Sequence, residues 1–200
     1  MSSVDYAIYL VHTLFWWSFV IARMILRSRE RSHTAPGAGP VTTQEFTARF
    51  SRAVIGVHFL AFGVLYFGLG YAIVPGRVPV WFPGQRVAGS IVIAAGAALM
   101  VWALVCFQSW RFRAKLDVDH QLVTDGPFRY LRNPIYMGLN LLALGSAIWV
   151  PTPIVWASVL LMAVGSDLRA RAEESVLAQA FGSRYRDYCA RTRRFIPGVY

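Results

Sequence analysis

The sequence predicts an all-α integral membrane protein with five transmembrane helices. The last two form a helical hairpin, followed by a cytosolic C-terminal helical tail. Three observations predict this. Of 200 residues, 56% are hydrophobic and 15% charged, too apolar for an ordinary soluble domain of this size. The apolar residues fall in long runs that fill a whole helix circumference. Such helices belong in a large core or in lipid, and this chain is too short to bury several of them in protein. Finally, the basic residues cluster in alternate loops, as membrane orientation requires.

The elements follow in order. A bilayer core about 30 Å thick needs roughly 20 apolar helical residues, and Tyr6 to Leu26, Val54 to Val74 and Val87 to Phe107 meet that length. Met1 to Asp5 has no basic residue and no cleavage pattern follows closely, so the first run is expected to be a transmembrane helix and not a signal peptide. The segment Arg29 to Gln44, rich in Ser, Pro, Gly and Thr, is expected to be a surface loop. Ser90, Ala94 and Ala98 recur every four residues on the third helix, a small-residue stripe expected to admit a neighbouring helix. The final apolar stretch, Ile135 to Leu168, is interrupted by Pro151-Thr152-Pro153. Proline removes a backbone donor and disfavours helix at the residue before it. The stretch therefore divides into Ile135 to Val150 and Pro153 to about Leu168, with the second arm continuing beyond the membrane.

Charge orients the set. The first loop holds Arg27, Arg29, Arg31, Arg49 and Arg52, and the third holds Arg111, Arg113, Lys115, Arg129 and Arg132. The tail carries Arg169, Arg171, Arg184, Arg186, Arg191, Arg193 and Arg194. The second loop has only Arg77 and Arg86, and the Pro151 turn has no basic residue. An outside N-terminus and a cytosolic C-terminus follow. This placement also accounts for the net charge of +10 and argues against nucleic acid as a partner. Arginine-dominated basic residues and short loops point to a bacterial plasma (inner) membrane. Cys106 and Cys189 are expected to be free thiols. No metal site is expected, because Asp117 and Asp119 have no further ligands at suitable spacing.

Polar residues near lipid are rare without a use, and two stretches are dense in them: His120 to Gly138 and Asp167 to Pro197. A hairpin returns the chain to its starting side, so these two feet should form one site. In the first, Asp125-Gly126-Pro127 is a turn signal. Asn133-Pro134 marks a helix start, with Asn as N-cap. In the second, Arg169 and Glu173 are four apart and share a helix face. Arg132 is expected to be structural, and His58 to serve helix packing by a hydrogen bond. His12 and His33 carry no signal.

The motifs are Leu122-Val123-Thr124-Asp125-Gly126-Pro127-Phe128 and Arg132-Asn133-Pro134-Ile135-Tyr136-Met137-Gly138, then Glu173-Glu174-Ser175-Val176-Leu177. Phe181-Gly182-Ser183-Arg184-Tyr185-Arg186-Asp187-Tyr188 and Arg194-Phe195-Ile196-Pro197 follow. In this order and spacing they resemble the isoprenylcysteine carboxyl methyltransferase family, which has phospholipid N-methyltransferase relatives. The resemblance covers about the last eighty residues. It implies S-adenosylmethionine as methyl donor, with cofactor contacts at His120, Gln121, Leu122, Val123, Phe128, Asn133, Pro134, Tyr136 and Glu173. It implies a substrate-contacting, catalytic role for Arg169. Asn133 stands where the family has His, and Phe128 where it has Tyr. Asn still bonds, and Phe keeps the ring.

One membrane methyltransferase domain over 1–200 is expected, with three spans in 1–110 and the cofactor-binding and catalytic region in 111–200. The expected acceptor is a lipophilic small molecule or prenylated substrate reached from membrane lipid. Glu173 would hold cofactor polar groups and Arg169 an anionic acceptor. The alternatives are a phosphatidylethanolamine N-methyltransferase or another lipid methyltransferase. More distant ones are a sterol-reductase-like enzyme using reduced nicotinamide, and an inactive membrane scaffold.

Overall fold

The computed structural model of the chain describes residues 5–14, 17, 21, 24, 42–107 and 122–200, with backbone only for 42–55 and 107. Residues 5–14, with 17, 21 and 24, are helical (α1). Then come α2 (Thr42–Ile73), α3 (Gln85–Phe107), a single 3-10 turn (Gly126–Arg129), α4 (Pro134–Trp149) and α5 (Pro153–Arg191). Among the described residues there is no strand. The predicted loop to Gln44 ends earlier than expected, because 42–44 already belong to α2. The last helix breaker there is Pro40, and nothing after it opposes helix.

Among the described residues, three helical stretches are long and apolar enough to cross a membrane: Gly56–Ile73, Gln85–Cys106 and Pro153–Arg191. Beyond Leu14, most of the expected first span lies outside the described residues. With 16 residues, α4 is about 24 Å long, short of the roughly 30 Å hydrocarbon core, as expected for a hairpin arm. The molecule is an integral membrane protein. The hairpin turn falls where the two prolines put it. Pro153 is in the first turn of α5, and the Thr152 side chain caps that helix by accepting from the Val155 amide.

The second arm runs much further than Leu168. The charged helix continues to Arg191, broken only at Gly182, whose φ of 53° and ψ of −121° lie in a region open essentially to glycine. No atom crowds Gly182, so backbone conformation and not space calls for glycine here.

The helices pair as α3 with α4 and α2 with α5, while α1 lies against α2 and α4. Tyr9 of α1 stacks on Tyr66, and His12 is pinned between the Ile8 carbonyl and the Ser146 hydroxyl, both at 2.8 Å. The small-residue prediction is corrected. Ala94 and Ala98 are exposed and Ser90 is half-buried, whereas Gly89 and Gly96 are buried at the α3–α4 seam. A Cβ on Gly96 would stand 2.7 Å from the Gly138 carbonyl oxygen, and one on Gly89 2.7 Å from that of Gly145. Backbones this close leave no room even for alanine, so the contact face follows the glycines.

Candidate functional site

The two polar feet meet. Arg132 and Asn133 enter α4, while Asp167, Arg169, Glu173 and Glu174 lie on α5. Behind them the chain after α5 runs beside 130–133 in a short parallel pairing: Arg132 N donates to Arg193 O (2.7 Å), and Asn133 N to Arg194 O (3.2 Å).

Glu174 is the hub. Its Oε1 accepts from Arg132 Nε (3.1 Å), Asn133 Nδ2 (2.9 Å) and Arg194 Nε (3.1 Å), and its Oε2 from Arg194 Nη2 (2.8 Å). All three charged side chains are only 13–16% exposed. Burial alone would raise the Glu174 carboxyl, but the bonds from Arg194 and Arg132 outweigh it and hold the group below its ordinary range. Arg194 also reaches Asp167 (3.2 Å), and the Tyr200 hydroxyl donates to the same carboxylate oxygen (2.7 Å). Arg132 further donates to the carbonyls of Thr192 (2.7 Å) and Cys189 (3.2 Å), closing the end of α5. Its structural role is thereby explained.

One turn along lies a smaller cluster. Glu173 Oε1 accepts from Arg169 Nε (2.7 Å) and from the Tyr136 hydroxyl (2.7 Å), and Arg169 Nε stands 3.0 Å from that hydroxyl. Glu173 is the most open member, with its side chain 35% exposed against 13% for Arg169. Its Oε2 has no partner among the described residues.

Of the predicted site residues, the structure brings Asn133, Pro134, Tyr136, Arg169 and Glu173 together. Asn133 does occupy the N-cap position of α4, but its side chain makes no capping bond. The amide is committed to Glu174 instead, a correction to the expected cap. Pro134, the first residue of α4, is fully buried, so it shapes the site from behind. Phe128 is buried in the 3-10 turn, and its carbonyl accepts from the Tyr188 hydroxyl (2.7 Å). Leu122 and Val123 are half-buried and lie outside any helix or strand. His120, Gln121, Asp117 and Asp119 lie outside the described residues.

A cavity of about 320 Å³ opens beside the 3-10 turn, lined by Thr124, Asp125, Arg129, Tyr188, Arg191 and Thr192. It adjoins the predicted residues through Tyr188 but contains none of them. Among the described residues no cluster of side chains is suited to a metal ion. Both cysteines are free thiols. The sequence reading missed Glu174 as a hub, and with it Arg194, which links Glu174 to Asp167 and Tyr200. The adjacent glutamates were visible, but their partners lie up to 42 residues away in sequence.

Fold and site thus define a helical membrane protein whose charged end gathers carboxylates and arginines from both feet of its terminal hairpin. The phospholipid methyltransferase family profile matches residues 85–184, half of the chain, and the chain belongs to that family. The match begins with α3, well before the motifs that carried the sequence resemblance. A protein-S-isoprenylcysteine O-methyltransferase of Dictyostelium discoideum is 33% identical over 87 residues, 41% of this chain and 35% of that protein. Its counterpart in Schizosaccharomyces pombe is 30% identical over 116 residues, 57% of this chain and 45% of that protein. The matched regions thus span less than half the length of these relatives. A solved eukaryotic intramembrane Ras methyltransferase, an isoprenylcysteine carboxyl methyltransferase, superposes with a TM-score of 0.58 at 22% identity. That likeness covers 98% of this chain and 67% of the other, and it shows the fold.

Proposed function

We propose that this chain is an S-adenosylmethionine-dependent membrane methyltransferase acting on a lipophilic, isoprenylcysteine-like carboxylate where membrane and cytosol meet. Family membership and the named relatives support the reaction class, and the alternating loop charges support placing the charged end in the cytosol. Arginine-dominated basic residues and short loops support a bacterial plasma membrane. The observation that carries the reading is Glu173. Two donors hold one of its oxygens in a fixed direction while the other stays open at the mouth of the hairpin's feet. An open carboxylate oxygen is an acceptor that fits the cofactor, whose ammonium and ribose hydroxyls donate. Tyr136 anchors that carboxylate, and Asn133 binds the neighbouring Glu174.

When bound, the cofactor supplies an electrophilic methyl group. The protein's task is then orientation. Glu173 holds the donor's polar groups, and Tyr136 keeps Glu173 and Arg169 in register. Arg169, aimed by both, attracts and aligns an anionic acceptor. A carboxylate acceptor is already ionised, so no residue has to remove a proton.

The test is methyl transfer from tritiated S-adenosylmethionine by the protein in lipid nanodiscs, offered a prenylcysteine analogue or phosphatidylethanolamine. Transfer to the first is expected. Transfer to phosphatidylethanolamine alone would replace the acceptor by a headgroup amine, and absence of S-adenosylhomocysteine binding would reject the reading altogether.

A further inference from the structure

Beneath Tyr136, Arg169 and Glu173 the bundle carries a second polar layer without charge. Asn140 follows Tyr136 by four residues on α4, and Ser166 precedes Arg169 by three on α5. Both therefore lie on the same helix faces one turn further from the charged end, about 5–6 Å away. Ser166 is fully buried and its hydroxyl donates to Asn140 Oδ1 at 3.0 Å. His58 of α2, itself buried, brings Nε2 to 3.3 Å from Ser166 Oγ. Its ring lies 5.7 Å from that of Tyr136. Gly165 makes room for it, since a Cβ there would stand 3.2 Å from His58 Nδ1.

With Nε2 protonated, the bonds run one way, from His58 to Ser166 to Asn140. That direction consumes the Asn140 carbonyl oxygen and leaves its amide nitrogen, a double donor, without a partner among the described residues. The side chain is only half-buried. Helix association explains the Ser166–Asn140 bond, but not a donor left over among apolar helices, where an unmade bond is costly.

We propose that Asn140, aimed by Ser166 and His58, is a specificity residue of the acceptor site. Its Nδ2 donates to an uncharged oxygen, such as an amide carbonyl, a few bonds from the reacting carboxylate on the lipid side. This rests on the reading of the acceptor as a lipophilic carboxylate and narrows it. An N-acylated prenylcysteine carries such an oxygen, and a simple lipid acid does not. Asn140 takes no part in bond making. It decides which carboxylate is held.

The probes are N-acetyl-S-farnesylcysteine and S-farnesylthiopropionic acid, which share thioether, prenyl chain and carboxylate and differ by the acetamide. Their binding to the wild-type chain, Asn140→Leu and Asn140→Ala is measured by calorimetry with S-adenosylhomocysteine present, and methyl transfer is followed in parallel. The wild type should bind the amide-bearing probe about tenfold more tightly, the worth of one good hydrogen bond. Both variants should bind the two probes alike, with S-adenosylhomocysteine affinity unchanged. Equal wild-type affinities, no binding of either probe, or a preference that survives in the variants would overturn the assignment. A preference in binding without any methyl transfer would reject the proposed activity and leave Asn140's role standing. Transfer without preference would do the reverse.

Discussion

Both ends of the helix bundle hold buried ion pairs, and they differ in how fully those pairs are satisfied. At the end bearing the Pro151 turn, Asp5 is 1% exposed. It accepts from Arg86 Nε (2.8 Å) and Nη2 (2.9 Å) and from the Trp149 indole (3.1 Å). This clamp joins α1, α3 and α4, and it uses both carboxylate oxygens. At the other end Glu174 is equally saturated, yet Glu173, its neighbour in sequence, keeps an open oxygen and a partly exposed side chain. A carboxylate with every lone pair engaged holds helices together. One with spare capacity next to an arginine and a tyrosine is equipped to take a ligand.

The contrast can be broken by substitution. The largest effect is expected for Glu174→Ala, which strands Arg132 and Arg194 with little solvent access. Breaking a buried pair in this way costs about 3–5 kcal/mol, read as a large drop in thermal midpoint. Because the folded-state pKa of Glu174 lies below its ordinary 4.5, the stabilisation is fully present above the unfolded value and is lost as pH falls through the folded one. The wild-type midpoint should therefore decline on acidification below the usual glutamate range, and Glu174→Ala should flatten part of that decline. Glu173→Ala should show a different balance. S-adenosylhomocysteine affinity should fall by about a hundredfold, near 2.7 kcal/mol, while the midpoint drops less than in Glu174→Ala, because one arginine and not two loses its carboxylate. Calorimetry showing normal affinity would remove Glu173 from the cofactor site.

Away from the charges, Gly96→Ala puts a methyl against the Gly138 carbonyl, and overpacking of this kind costs about 2 kcal/mol. Its signature is a lower midpoint with ligand affinity retained. The smallest effect is expected for Asp5→Asn. The Arg86 side chain is 41% exposed, so solvent screens the pair and the loss should be about 1 kcal/mol. A change in S-adenosylhomocysteine affinity in Asp5→Asn would show that the two ends are coupled and that the clamp does more than hold helices.

Much of this architecture was legible in the chain. The hairpin follows from Pro151 and Pro153, because proline acts on its own backbone whatever surrounds it. The Arg169–Glu173 pair follows from four-residue spacing on a continuing helix. The juxtaposition of Asn133 with Glu174 follows from the hairpin's geometry, and it is realised at 2.9 Å. Where the reading failed, local rules competed with partners from elsewhere. Asn133 has the residue type of a cap, but Glu174 offered its amide a charged acceptor. His12 carried no signal because its partner Ser146 lies 134 positions away.

By itself the sequence determined the membrane character, the break at the two prolines and the charged residues gathered at the two feet. Each depends on hydropathy, backbone restriction or helical period within a short window. Only the tertiary structure decided that Gly89 and Gly96, and not the Ser90–Ala98 stripe, face α4. It also decided that Glu174 binds the fold together while Glu173 stays open, and that His58, Ser166 and Asn140 form one chain. Those outcomes turn on which helix faces meet and on how many donors reach each oxygen, and both are properties of packing that no local window of residues contains.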